Sequence, residues 1–152
     1  MDSLTAFRNL LRSHGELLVG ALAGLDDHQA LSAPNPSATW ITQHLFDCLS
    51  EVQSLVCGSR PAEDTAPLET LPWLDQVQAL EDRCLGLDMA LGELSEEDLD
   101  GNPAADLEGD LGAGEPNRRD LLAGHVGHMG WHLGQLARIR KQLGLVSMPG
   151  WD

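Results

Sequence analysis

Apolar residues recur three and four positions apart through four long stretches of the chain, with breakers between one stretch and the next. That is the period of an α-helix with one buried face. The first stretch predicts a helix over 3–24, capped by Ser3, with Leu4, Phe7, Leu11, Leu18, Ala21 and Leu25 on one stripe and His14 among them. His28 follows in a polar turn expected to be solvated, and Pro34, Asn35, Pro36 and Ser37 break the chain. A second helix is expected over 38–57, with Ile41, Leu45, Cys48, Val52 and Leu55 facing inward. Residues 58–72, with Gly58, Pro61, Pro67 and Pro72, read as an exposed connection. The third helix, over 73–94, has the stripe Leu74, Val77, Leu80 or Glu81, Cys84, Leu87 and Leu91. The fourth, over 116–143, runs through Leu121, Leu136, Ile139 and Leu143. Four amphipathic segments with almost no β-branched runs between them predict an all-α four-helix bundle, a single domain spanning 1–152.

The stripe of the fourth helix is interrupted by imidazoles. His125, His128 and His132 stand at i, i+3 and i+7, on one face and at positions a packed bundle would fill with core residues. A buried polar group without a partner costs roughly 1–3 kcal/mol, against a net domain stability of about 5–15 kcal/mol. Three such groups need partners, and a metal ion supplies one to several at once. His128 and His132, four apart, can point at one ion, and His44 on the second helix is the natural third ligand. Asp47 and Glu51 lie on the face of His44, where a carboxylate orients a ring or serves as acid or base; a solvated acidic face is their commoner use.

A formal net charge of -15 and a pI near 4.5 argue against nucleic acid or an anionic membrane as partner. Much of that charge sits in residues 93–115, which hold no Lys or Arg and are expected to form a long acidic loop between the third and fourth helices. Cys48, Cys57 and Cys84 form no C-x-x-C pair and read as free thiols. No basic-then-apolar leader and no long apolar run is apparent, so a soluble, cytoplasmic protein is expected. Neither a glycine-rich phosphate loop nor a nucleophile elbow is present.

The histidine of the second helix, His44, and the fourth-helix pattern H-x-x-x-H-x-G-Q, here His128, His132, Gly134 and Gln135 followed by Arg140, Leu143 and Gly144, resemble the DinB/YfiT-like family of metal-binding four-helix bundles. The likeness spans roughly residues 3–145. It implies a divalent metal, zinc or nickel, held by His44, His128 and His132 with positions left for water or substrate, and pairing into a homodimer. Leu133 stands where the family often has Arg, and His125 adds an imidazole one turn earlier, an extra candidate ligand. Some relatives look like transferases that join a low-molecular-weight thiol to an electrophile. The expected function is therefore a metal-dependent thiol S-transferase in detoxification or stress response, acting on a small-molecule substrate, with Gln135 and Glu51 as candidate catalytic or pocket residues. The rivals are a non-catalytic metal-binding or stress-response bundle and a metal-dependent hydrolase. Trp131, between the proposed ligands, is expected to pack in a core or a dimer contact.

Overall fold

The first helix takes its cap from Asp2 rather than Ser3. The Asp2 carboxylate accepts from the Thr5 backbone N–H at 2.8 Å and opens α1 (Ser3–Ala23). A carboxylate caps as well as a hydroxyl does and adds a favourable charge at the positive end of the helix. The structure is a computed structural model and describes residues 1–32, 35–62, 66–104 and 116–148. Pro34, Trp151 and residues 105–115 of the acidic segment lie outside the described residues.

The polar turn expected at His28 is instead a short helix, α2 (Asp27–Ser32). Asp26 and Gln29 cap it reciprocally: the Gln29 N–H donates to Asp26 Oδ1 at 2.7 Å and the Asp26 N–H to Gln29 Oε1 at 3.0 Å. His28 is exposed there. The second predicted helix, α3 (Ala38–Cys57), has the expected bounds. Ser37 caps it, accepting from the Trp40 N–H at 3.1 Å, and Gly58 ends it at φ 70°, a left-handed conformation that glycine adopts without strain. Its buried face is broader than the pattern implied, with Thr42, Phe46, Leu49, Gln53 and Val56 inside and Cys48 and Val52 only half-buried.

Helix α4 (Trp73–Leu91) stops at Gly92, three residues short of the expected end. Its inward register also differs: Leu74 is 60% exposed, while Trp73 is buried and donates from Nε1 to the Leu25 carbonyl at 3.1 Å. The larger aromatic has both apolar surface to bury and a donor to satisfy, and so takes the inner position. Beyond α4 the acidic segment is not all loop: Glu97–Asp100 form a 3-10 turn that seals Leu99 into the core. Helix α5 (Arg118–Gln142) opens with a capping box in which Asn117 accepts from the Asp120 N–H at 2.9 Å. Its buried line runs through Leu122, His125, Met129, His132, Leu136 and Ile139, with Leu121, His128 and Leu143 half-buried beside it.

The described residues contain helices and no strands, forming an all-α bundle. Helix α1 packs against α4 and α5, and so does α3, which sets α1 diagonal to α3 and α4 diagonal to α5. Leucines from all four long helices meet in the centre, among them Leu18, Leu45, Leu80 and Leu136, each worth roughly 1.5–3 kcal/mol on burial. Arg140, buried in α5, donates from Nη1 to the Ala21 carbonyl at 2.9 Å and from Nε to the Val146 carbonyl at 2.8 Å. Gly24 makes room for it, because a Cβ there would stand 2.9 Å from Nη1. None of the described helices is long and apolar enough to cross a membrane.

Candidate metal centre

Helices α3 and α5 run antiparallel at the site. Trp40 faces His132, with ring centroids 6.0 Å apart, and one turn along α3 His44 faces His128 at 4.9 Å, one turn back along α5. This register brings one imidazole from α3 between two from α5. Ring nitrogens of His44, His128 and His132 all lie within 4.8 Å of one another. His128 Nε2 is 3.0 Å from His44 Nε2 and 2.9 Å from His132 Nε2. Among the described residues no fourth histidine, cysteine or carboxylate joins the group.

These contacts are hard to satisfy with protons alone. A ring nitrogen of neutral imidazole holds either one proton or one lone pair, so His128 Nε2 makes a good linear hydrogen bond to only one of its two neighbours. Three lone pairs turned to one cation remove that conflict. A tetrahedral ion with bonds of about 2.0–2.1 Å sets its ligand atoms roughly 3.3 Å apart, so the two contacts of His128 need to widen by only a few tenths of an ångström to admit one. Gln135 prepares His132 for this: His132 Nδ1–H donates to Gln135 Oε1 at 2.7 Å, which fixes the proton on Nδ1 and leaves the Nε2 lone pair facing the other rings. The residues present therefore fit a divalent ion.

The electrostatics disfavour the protonated form of the two α5 donors. Burial pulls the pKa of His132 below the usual imidazole value, the Gln135 contact opposes this, and the charges of His128 and His44 add to the lowering. His128 is lowered by burial and then by His44. The cluster opens to solvent through a cleft of about 420 Å³ that Asn35, Pro36, Trp40, Trp131 and Gln135 line together with the three histidines. A second groove, of about 380 Å³, lies between α1 and α4 on the opposite edge of the bundle and contains no histidine.

The remaining candidates fall elsewhere. His125 is buried one turn before His128, with ring centroids 6.2 Å apart; its Nε2 has no hydrogen-bond partner among the described residues, and burial, helped by the charge of His128, pushes its pKa down to about 4. His14 lies against Gly130, outside the cluster, with a buried Nδ1 that has no partner among the described residues. Asp47 and Glu51 are exposed, and neither lines the cleft.

Two neighbours of His44 were not singled out from the sequence as parts of the site. The Trp40 indole stacks on its ring at 4.7 Å and 15°, and Cys48 Sγ lies 3.7 and 3.9 Å from its two nitrogens. The signal was the spacing of four that puts Trp40, His44 and Cys48 on one face of α3. Trp131, expected to pack in a core or a dimer contact, is not in the core: the residue is 68% exposed and lines the cleft. No protein-family profile matches the chain, no curated protein is significantly similar in sequence, and no solved structure matches its fold.

Proposed function

We propose that this protein is a divalent-metal-dependent enzyme of the DinB/YfiT-like kind, with His44, His128 and His132 as ligands of zinc or nickel, and that its reaction transfers a thiol to an electrophile. The observation that carries the reading is the convergence of three histidine Nε2 atoms at the floor of an open cleft. Three protein donors leave a coordination position for a reactant, the arrangement of catalytic rather than structural zinc. A divalent ion held by these three residues would supply the Lewis acidity that lowers a thiol's pKa towards neutrality.

The chain's own residues divide the remaining work. Gln135 holds the His132 tautomer, Trp40 fixes the His44 ring by stacking, and the open cleft lets the thiol proton leave to water as the carbon–sulfur bond forms and the leaving group departs. Glu51, exposed outside the cleft, is poorly placed as a base. One observation favours the rival, a bundle that binds metal without catalysis: no Lys or Arg lines the cleft among the described residues, so an anionic thiol finds no clamp.

The test is elemental analysis of untagged protein, wild type against His128→Ala and His132→Ala, followed by a screen of thiols with electrophiles. Stoichiometric zinc or nickel that is lost in both variants, with turnover lost alongside it, supports the enzyme. Metal without turnover supports the rival. Failure to take up zinc, nickel or manganese sinks both.

A further inference from the structure

The exposed aromatic rings of the described chain are gathered at the histidine cleft. Trp40 is 48% exposed and Trp131 68%, and both line it, whereas Trp73 and Phe46 are buried and Phe7 packs against the core. One face of Trp40 is taken by His44, but among the described residues no ring or cation packs on Trp131. A large apolar face left in water beside a polar cluster is surface for a ligand to cover.

The rest of the lining says what that ligand is. Asn35, Pro36 and Gln135 complete the wall, with no carboxylate, Lys or Arg among the described lining residues. Away from the three histidines no described lining side chain pairs with an anionic body, and the chain's charge of -15 opposes its approach. A cationic body has no carboxylate to pair with in the cleft. A neutral planar body gives up little hydration and gains a ring face.

We propose that the cleft selects a substrate with an uncharged aromatic body, which lies on the Trp131 indole while its thiol points at the Nε2 atoms of His44, His128 and His132. The thiol end rests on the metal-dependent reading above; the aromatic end rests on Trp131 and on the absence of charge around it.

The experiment measures the two ends separately. Zinc-loaded protein is titrated with phenylmethanethiol and with two charged thiols too long to close a stable chelate ring on zinc, 6-mercaptohexanoate and 6-aminohexane-1-thiol, and metal-free protein with benzyl alcohol, in wild type, Trp131→Ala and Trp131→Phe. Phenylmethanethiol should bind about tenfold more tightly than either charged thiol, and Trp131→Ala should weaken phenylmethanethiol and benzyl alcohol by about tenfold, Phe restoring most of the loss. Metal content and binding of the charged thiols should not change in the Trp131 variants. A charged thiol that binds as tightly as phenylmethanethiol overturns the proposal, as does Trp131→Ala with unchanged affinity for benzyl alcohol. If Trp131→Ala converts a dimer to a monomer and leaves aromatic affinity intact, Trp131 is a contact with a second copy and the proposal falls. Should zinc fail to load, the metal reading fails alone, because the benzyl alcohol titration still decides the aromatic end.

Discussion

Gln135 determines which nitrogen of His132 carries the proton, and so whether a lone pair or a hydrogen faces the other two rings. Removing its acceptor frees the ring to take the wrong tautomer. Gln135→Ala should weaken zinc binding by roughly 10–100-fold, the usual effect of losing a partner that orients a ligand, and Gln135→Glu should restore it. Competition with a chromophoric chelator reads this directly; an affinity unchanged in the alanine variant would remove Gln135 from the site. His125 ties stability to pH. Its pKa is about 4 in the folded protein against about 6.5 when free, so between those values the unfolded chain binds more protons than the native one. The stability of the neutral buried ring is thus fully present above pH 6.5 and is lost as pH falls towards 4, by something on the order of 3 kcal/mol. His128 and His132 are lowered in the same direction. Asp88 and Glu96, also lowered, start from about 3.8 and 4.5 and so contribute only at the acid end of that range. Urea unfolding of metal-free protein should show stability declining from pH 6.5 to 5, and His125→Leu should flatten part of the decline. An unchanged slope in that variant would mean His125 is not the group being titrated.

Helix α3 links its cap to the histidine cluster, because Trp40 and His44 lie in its first two turns and Ser37 holds the first of them. Ser37→Ala should cost about 0.5–2 kcal/mol in thermal or urea unfolding and should also weaken zinc binding as those turns fray; Ser37→Asp should recover both. Zinc affinity equal to wild type in the alanine variant would show that the metal ligands are held by packing and not by the cap. The same helix shows what the sequence could convey. Pro36, Ser37 and Gly58 mark its ends, so its bounds of Ala38–Cys57 could be read directly. Helical phase was harder. Trp73 and Leu74, like Leu121 and Leu122, are adjacent apolar residues, and either of each pair completes an acceptable stripe; which one points inward depends on neighbours such as the Leu25 carbonyl that a local pattern does not contain. His44, His128 and His132 could be grouped because i, i+4 spacing and one facing helix were enough. The roles of Trp40 and Trp131 could not, because whether an aromatic at a helix surface is covered depends on what stands opposite it.

Across the bundle as a whole, the histidine cluster joins helices that the chain connects only at a distance. Between His44 and His128 come α4 and the acidic segment, and along the α3–α5 edge the two helices meet through the histidine contacts as well as through leucines. A ligand that binds only the folded state stabilises it by RT ln(1 + [L]/Kd), about 2.7 kcal/mol at a free concentration 100 times Kd. For a chain of this size each 1 kcal/mol moves the midpoint by roughly 2–4 °C, so saturating zinc should raise Tm by about 5–11 °C. The formal charge of -15 gives a non-specific reason for a divalent cation to stabilise the fold, by relieving repulsion among surface carboxylates. Three comparisons separate the two causes. Magnesium at the same concentration relieves repulsion but is poorly held by imidazole, so it should produce a much smaller shift. His132→Ala should abolish the zinc shift while leaving the magnesium response intact, and His28→Ala, on an exposed position of α2, should leave both as in wild type. Lowering the pH towards 5 should shrink the zinc shift as the ligand rings take up protons, while surface carboxylates stay ionised and the magnesium response persists. Equal shifts from zinc and magnesium, surviving in His132→Ala, would assign the stabilisation to the acidic surface and leave the three histidines without a metal to hold.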